Sequence, residues 1–101
     1  MIPKRSYLRA LAHHRPVSVQ VGAGGVSDAV MSEIDAALAR HELLKIRLHE
    51  PSRVERTQMI AAICRRAGAV AVQHIGKVAV IYRAGDDPQI HLPGVQPSDD
   101  A

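Results

Sequence analysis

Hydrophobic and polar positions along the chain alternate in blocks with two different periods. Tyr7, Leu8, Leu11 and Ala12 recur at helical spacing, which predicts a first helix over about residues 4–14. Arg15-Pro16 ends it, because the residue before a proline is pushed out of the helical region. Val17, Val19 and Val21 then alternate with Ser18 and Gln20, the period of a half-buried strand. Gly22-Ala23-Gly24-Gly25 makes a short connection, and Ser27 is a good N-cap for a second helix reaching about residue 41. Its apolar residues Val30, Met31, Ile34, Ala37 and Leu38 share one face. Leu44, Ile46 and Leu48, alternating with Lys45, Arg47 and His49, predict a second strand.

A third helix starts at Ser52-Arg53-Val54-Glu55, a capping box in which each end residue's side chain meets a backbone donor of the other. Val54, Ile60, Ala61, Ile63, Cys64 and Ala67 are expected on its buried face, and Gly68 stands where a left-handed C-terminal residue belongs. Strands over about residues 69–74 and 78–83 follow, joined by Gly76-Lys77 as a type II′ hairpin turn with glycine first. Beyond Arg83 regular structure breaks. Residues 89–93 are expected to dock briefly, and 94–101 to form a disordered acidic tail. The order α-β-α-β-α-β-β gives a single compact α/β domain over residues 1–93, a four-stranded mixed sheet packed by helices. Right-handed crossovers make the helix-linked strands parallel, and the hairpin adds an antiparallel neighbour. The second and third helices should cover the Val/Leu/Ile face. The other face, with Ser18, Gln20, Lys45, Arg47 and His49, would be partly covered by the first helix.

Charge is distributed unevenly. All thirteen Lys and Arg and six of the ten acids lie in residues 1–83, a balance of +7, whereas residues 84–101 hold four Asp and no base. A basic body suits a polyanionic partner. The two aromatics, Tyr7 and Tyr82, leave little for stacking. Cys64 is the single cysteine, which excludes an internal disulfide and a Cys-rich zinc site and suits a reducing cytoplasm. No secretory signal follows the basic N-terminus, and no apolar run approaches the roughly 20 residues of a membrane span.

Several chemistries find no support. Gly22-Ala23-Gly24 follows a strand and opens a helix, but Ser27 occupies the third glycine position of a dinucleotide fingerprint and no acid closes the second strand. The Gly-Lys-Ser/Thr of a phosphate-binding P-loop is absent. His13 and His14 are adjacent, so on a helix they point about 100° apart, a poor arrangement for chelation. Neither a metal nor a cofactor is expected, and no acid–base pair or nucleophile with an oxyanion site suggests an enzyme.

What remains points to phosphate. Gly22, Ala23, Gly24 and Gly25 lie between a strand end and a helix start, where backbone N–H groups favour an anion and glycine lets a phosphodiester come close. A G-x-x-G spacing clamps a nucleic-acid backbone in the KH fold. Arg5, Arg9 and His13 form one helix face, with Lys4 and Arg15 beside it. Lys45 and Arg47 share the polar sheet face, and Lys77 and Arg83 flank the last strand. Arg65 and Arg66 are read more simply as complements to a helix C-terminus.

Five colinear segments resemble a known family: Leu8-Arg-Ala-Leu-Ala-His-His14, Val19-Gln-Val-Gly-Ala-Gly-Gly25, Glu33-Ile-Asp-Ala-Ala-Leu38, His41-Glu-Leu-Leu-Lys-Ile-Arg47 and Val72-Gln-His-Ile-Gly-Lys-Val-Ala-Val-Ile-Tyr-Arg83. Ile90-His-Leu-Pro93 is similar to its C-terminal end. Together they resemble the CRM domain (chloroplast RNA splicing and ribosome maturation) in its stand-alone bacterial YhbY-like form. The resemblance implies a fold like the C-terminal domain of bacterial translation initiation factor three. It also implies association with ribosomal RNA in precursors of the large subunit, through the glycine loop and a neighbouring basic surface. Many members carry a lysine or polar residue where this chain has Ala23, so the flanking Lys and Arg must supply more of the charge.

The expected function is thus a cytoplasmic, non-enzymatic RNA-binding protein that assists ribosome assembly. The alternative is a module that docks on ribosomal proteins.

Overall fold

The computed structural model of the chain describes residues 5–22, 24–85 and Ile90. Three helices, α1 (Arg5–His13), α2 (Asp28–His41) and α3 (Arg53–Ala67), alternate with strands β1 (Val19–Val21), β2 (Leu43–Leu48), β3 (Val70–Ile75) and β4 (Val78–Tyr82). This is the order the sequence predicts. The sheet order is β1-β2-β4-β3. β1 and β2 are parallel, and β4 runs antiparallel to both β2 and β3. The second strand of the hairpin therefore inserts between β2 and β3, which are parallel to each other.

Local chemistry sets the element ends. Ser27 Oγ accepts the Val30 N–H at 3.1 Å and caps α2. At α3, Ser52 Oγ accepts the Glu55 N–H at 3.2 Å, but only this half of the predicted capping box forms. The Ser52 N–H is met from outside the helix, by the Glu50 carboxylate at 2.9 Å. Gly68 closes α3 at φ 66°, and Gly76 opens the hairpin turn at φ 58°. Lys77 keeps a negative φ, as a type II′ turn requires. β3 carries an irregularity between Ala71 and Gln73.

Two cores lie on opposite faces of the sheet. α2 and α3 cover one with Ile34, Leu38, Ile60 and Ile63, packed against Val19, Val21, Leu44, Ile46, Leu48, Ala79 and Ile81. Cys64 is half-buried at its edge, and burial pushes its thiol pKa up. Two residues expected on the buried face of α3 do not belong there: Val54 is 64% exposed and Ala61 is also exposed. The first turn instead buries Arg56, whose guanidinium donates to the carbonyls of Glu50 at 2.7 Å and Pro51 at 2.8 Å. It ties the helix start to the chain that enters it. The smaller core joins Leu8 and Ala12 of α1 to Leu43, Val72, Val80, Tyr82 and Ile90.

Glu42 links that smaller core to the end of the chain. It is buried, with φ 64°, at the α2–β2 junction. Its carboxylate accepts the N–H groups of Gly85 at 2.7 Å and Ile90 at 2.8 Å. A Cβ at Gly85 would stand 3.1 Å from that carboxylate, so the close approach suits glycine. Ile90 is thus docked, as expected for its segment. The remainder of 89–93 and the whole of 94–101 lie outside the described residues.

Candidate nucleic-acid interface

One end of the sheet gathers the C-termini of β1 and β2 and the β3–β4 hairpin. The His49 N–H donates to Val21 O at 2.8 Å and the Leu48 N–H to Lys77 O at 2.7 Å. These bonds set the glycine loop, the β2 exit and Lys77 side by side. Two strand spacings, roughly 10 Å, separate the β1 exit from the hairpin.

The glycines of the loop differ in what the fold asks of them. Gly25 adopts φ 100° and needs to be glycine, and its N–H closes a turn onto Gly22 O at 3.2 Å. Gly22 and Gly24 are exposed, have no positive φ, and nothing would lie within 4 Å of an added Cβ. The fold does not require glycine at either, yet each leaves its backbone open to close approach. The Gly24 N–H has no partner among the described residues. The α2 N-terminus behind them is already occupied, because Ser27 caps it and Asp28, in its first turn, pairs with Arg66 at 2.8 Å. An anion here would rest mainly on loop amides. Ala23, like Lys4, lies outside the described residues.

The basic residues divide into two groups. In the first, charges serve the fold. Lys45 Nζ donates to the carbonyls of Ala12 at 3.3 Å and Arg15 at 3.2 Å, satisfying the C-terminal end of α1. The Arg15 guanidinium donates to Leu43 O at 3.0 Å and His41 O at 3.4 Å. Arg83, expected to extend the basic surface, instead pairs with Asp35 at 2.6 Å and donates to Ala67 O at 2.8 Å, locking α2 to the end of α3. Arg66 is likewise engaged with α2 through Asp28 rather than only complementing its own helix.

In the second group the side chains have no hydrogen-bond or ion-pair partner among the described residues. Arg5 and Arg9 are exposed on α1, Arg47 is half-buried on β2, and Lys77 is exposed on the hairpin. His13, also exposed, meets only the His14 ring, edge-on at 5.4 Å.

Register places Arg47 in an open cross-strand row. Gln20 pairs with Arg47, Arg47 with Val78, and Val78 with Ile75. Lys45, two residues earlier on β2 and bonded to α1, shows that this row lies on the α1 face. The helix does not reach far enough to cover it: Ile75 is 64% exposed. His49 Nε2 and Gln20 Oε1 join at 2.6 Å at one end of the row. Sequence reasoning placed Gln20, Arg47 and His49 on this face but missed Gln73, Ile75 and Val78. Their positions depend on strand pairings that no local pattern encodes.

Comparisons with known proteins identify the family. Residues 3–83 match the CRS1 / YhbY (CRM) domain. The chain belongs to that family. A Haemophilus influenzae relative named "RNA-binding protein" is 37% identical over 90 residues, covering 89% of this chain and 91% of the relative. YqeI of Bacillus subtilis is 32% identical over 91 residues, covering 89% and 95%. The solution structure of the Staphylococcus aureus protein SAV1595 superposes with a TM-score of 0.79 at 30% identity, covering 89% of this chain and 95% of that one. The α/β fold of this chain is therefore shared with that solved structure. Among the described residues no helix is long and apolar enough to cross a membrane.

Proposed function

We propose that the chain is a non-enzymatic, cytoplasmic RNA-binding protein that attaches to ribosomal RNA in large-subunit precursors and assists their assembly. The Gly22–Gly25 loop would hold the phosphate backbone, chiefly through the exposed amides of Gly22 and Gly24. Arg5, Arg9, His13, Arg47 and Lys77 would neutralise neighbouring phosphates, with Lys4 beside them. Arg15 and Lys45 contribute charge from fixed positions, since carbonyls of the fold already hold them. The observation that carries the reading is the pairing of two glycines the fold does not need with two unpartnered cations, Arg47 and Lys77, at the same sheet end. The RNA-binding name of the Haemophilus relative supports the class of partner. The ribosomal destination rests on the resemblance to YhbY-like proteins.

The test is fluorescence anisotropy with a structured large-subunit ribosomal RNA fragment across a salt series. If about five phosphates are neutralised, log affinity falls against log salt with a slope of roughly −3 to −5. Gly24→Asp and Arg5→Ala/Arg9→Ala each weaken binding without unfolding the protein. A flat salt response would sink the mechanism. Binding to purified precursor particles that survives ribonuclease treatment would shift the partner to a ribosomal protein.

A further inference from the structure

Beside the open row, the α1 C-terminus and the hairpin strands enclose a hollow of about 250 Å³, lined by Ala12, His13, Lys45, Gln73, Ile75 and Val78. Its walls are mixed. Ala12, Ile75 and Val78 give apolar surface, and Ile75 is 64% exposed. The Gln73 carboxamide is half-buried and has no partner among the described residues, so its donors and its acceptor remain available. His13 adds its two ring nitrogens to the lining. Lys45 closes one side and is held there by two carbonyls, so its position is fixed before anything binds.

We propose that this hollow receives one unpaired nucleobase of the bound RNA, which gives the protein base discrimination beyond backbone contact. The inference rests on the RNA-binding reading and deepens it. Size favours a single planar ring, since the volume lies below the roughly 300–1,000 Å³ of pockets that take larger ligands. The apolar walls can sandwich a base face without an aromatic, as apolar side chains do for flipped bases. The unused Gln73 amide can pair with a Watson–Crick edge. Charge chooses between occupants. Arg47, next to Val78 in register, and Lys77 at the turn have no partners among the described residues, and a nucleotide brings the phosphate that meets them. A second copy of this chain would bring like charges together instead.

The test uses the full chain with isotope-labelled methyl groups and side-chain amides, followed by NMR. The probes are the structured ribosomal RNA fragment, single-stranded homo-oligonucleotides of about eight nucleotides, and a ribose-phosphate oligomer of equal length without bases. Base-bearing probes are expected to shift the Ile75 and Val78 methyl signals and the Gln73 amide, and the abasic oligomer to leave them in place. Gln73→Leu, which keeps the shape and removes the hydrogen bonds, should reduce discrimination among the oligonucleotides about 3- to 10-fold. It should leave affinity for the abasic oligomer unchanged. Equal shifts of the glycine-loop amides with all probes, and none at Ile75, Val78 or Gln73, would overturn the base site while leaving backbone recognition intact. Absence of binding by every RNA would overturn both.

Discussion

On the face covered by α2 and α3, β1, β2 and β4 present Val19, Val21, Leu44, Ile46, Leu48, Ala79 and Ile81, all aliphatic and all buried, and β3 adds Ala71 and His74 at the edge. On the α1 face the same strands present Gln20, Lys45, Arg47 and Gln73 beside Leu43, Val80 and Tyr82. The two-residue period of a strand lets one sequence write both patterns independently. Two helices of 14 and 15 residues close the first face, whereas nine residues of α1 close only part of the second. Folding energy is therefore concentrated on the closed face. The open face is free to hold polar groups that contribute little to stability and are available to a partner.

The largest expected effect tests the closed face. Leu38 is fully buried there. Leu38→Ala leaves a cavity and should cost about 2–5 kcal/mol, read from urea or thermal unfolding. RNA affinity per folded molecule should be unchanged. A loss of affinity as large as the loss of stability would mean that the two faces are not separable.

Lys45 lies on the boundary, and its replacement sharpens the division. Lys45→Met keeps the aliphatic stem but leaves the Ala12 and Arg15 carbonyls without their donor. We expect a loss of about 1–2 kcal/mol in stability, together with weaker RNA binding. Arg47→Met, two residues on and without a partner among the described residues, should change stability by no more than about 0.5 kcal/mol. It should still reduce the salt slope by about one. If both variants behave alike, the separation of structural from available cations is wrong.

That separation marks the limit of what the sequence discloses. The element order, the Ser27 and Ser52 caps, Gly68 and the Gly76 turn were legible because each depends on a few adjacent residues. The alternating patterns also revealed which strand residues share a face. The insertion of β4 between β2 and β3 was not legible, since strand order is set by pairings distant in the chain. For the same reason, nothing local distinguishes Arg83, committed to Asp35 and Ala67, from Lys77, which has no partner among the described residues. In the glycine loop, spacing identified the segment. Only backbone angles separate Gly25, which the turn requires, from Gly22 and Gly24, which it does not.

The α1 face should also be sensitive to alkaline pH. Burial pushes the Tyr82 phenol pKa above its ordinary value, and the Glu42 carboxylate raises it further. The folded protein thus holds this proton to higher pH than the unfolded chain does. Stability from this group is complete below the ordinary tyrosine range and is lost as pH rises through the folded value. Tyr82→Phe should flatten the alkaline end of the stability profile measured by urea titration. An unchanged alkaline slope would remove Tyr82 from the account.

The smallest effect is expected where an apolar side chain misled. Val54 is apolar, but it lies six residues before Ile60, about 120° round the helix from that buried residue. Arg56, four residues before Ile60, takes the inward position and reaches back to Glu50 and Pro51, while Val54 is left 64% exposed. An exposed valine gains little from burial, and in a helix it carries a small propensity penalty from its restricted side chain. Val54→Ser should therefore alter the unfolding free energy by less than about 0.5 kcal/mol, against several for Leu38→Ala, although both are aliphatic residues on helices that cover the same face. A loss of about 2 kcal/mol or more, the scale of a core truncation, would place Val54 inside the core and overturn this assignment of the inward face of α3.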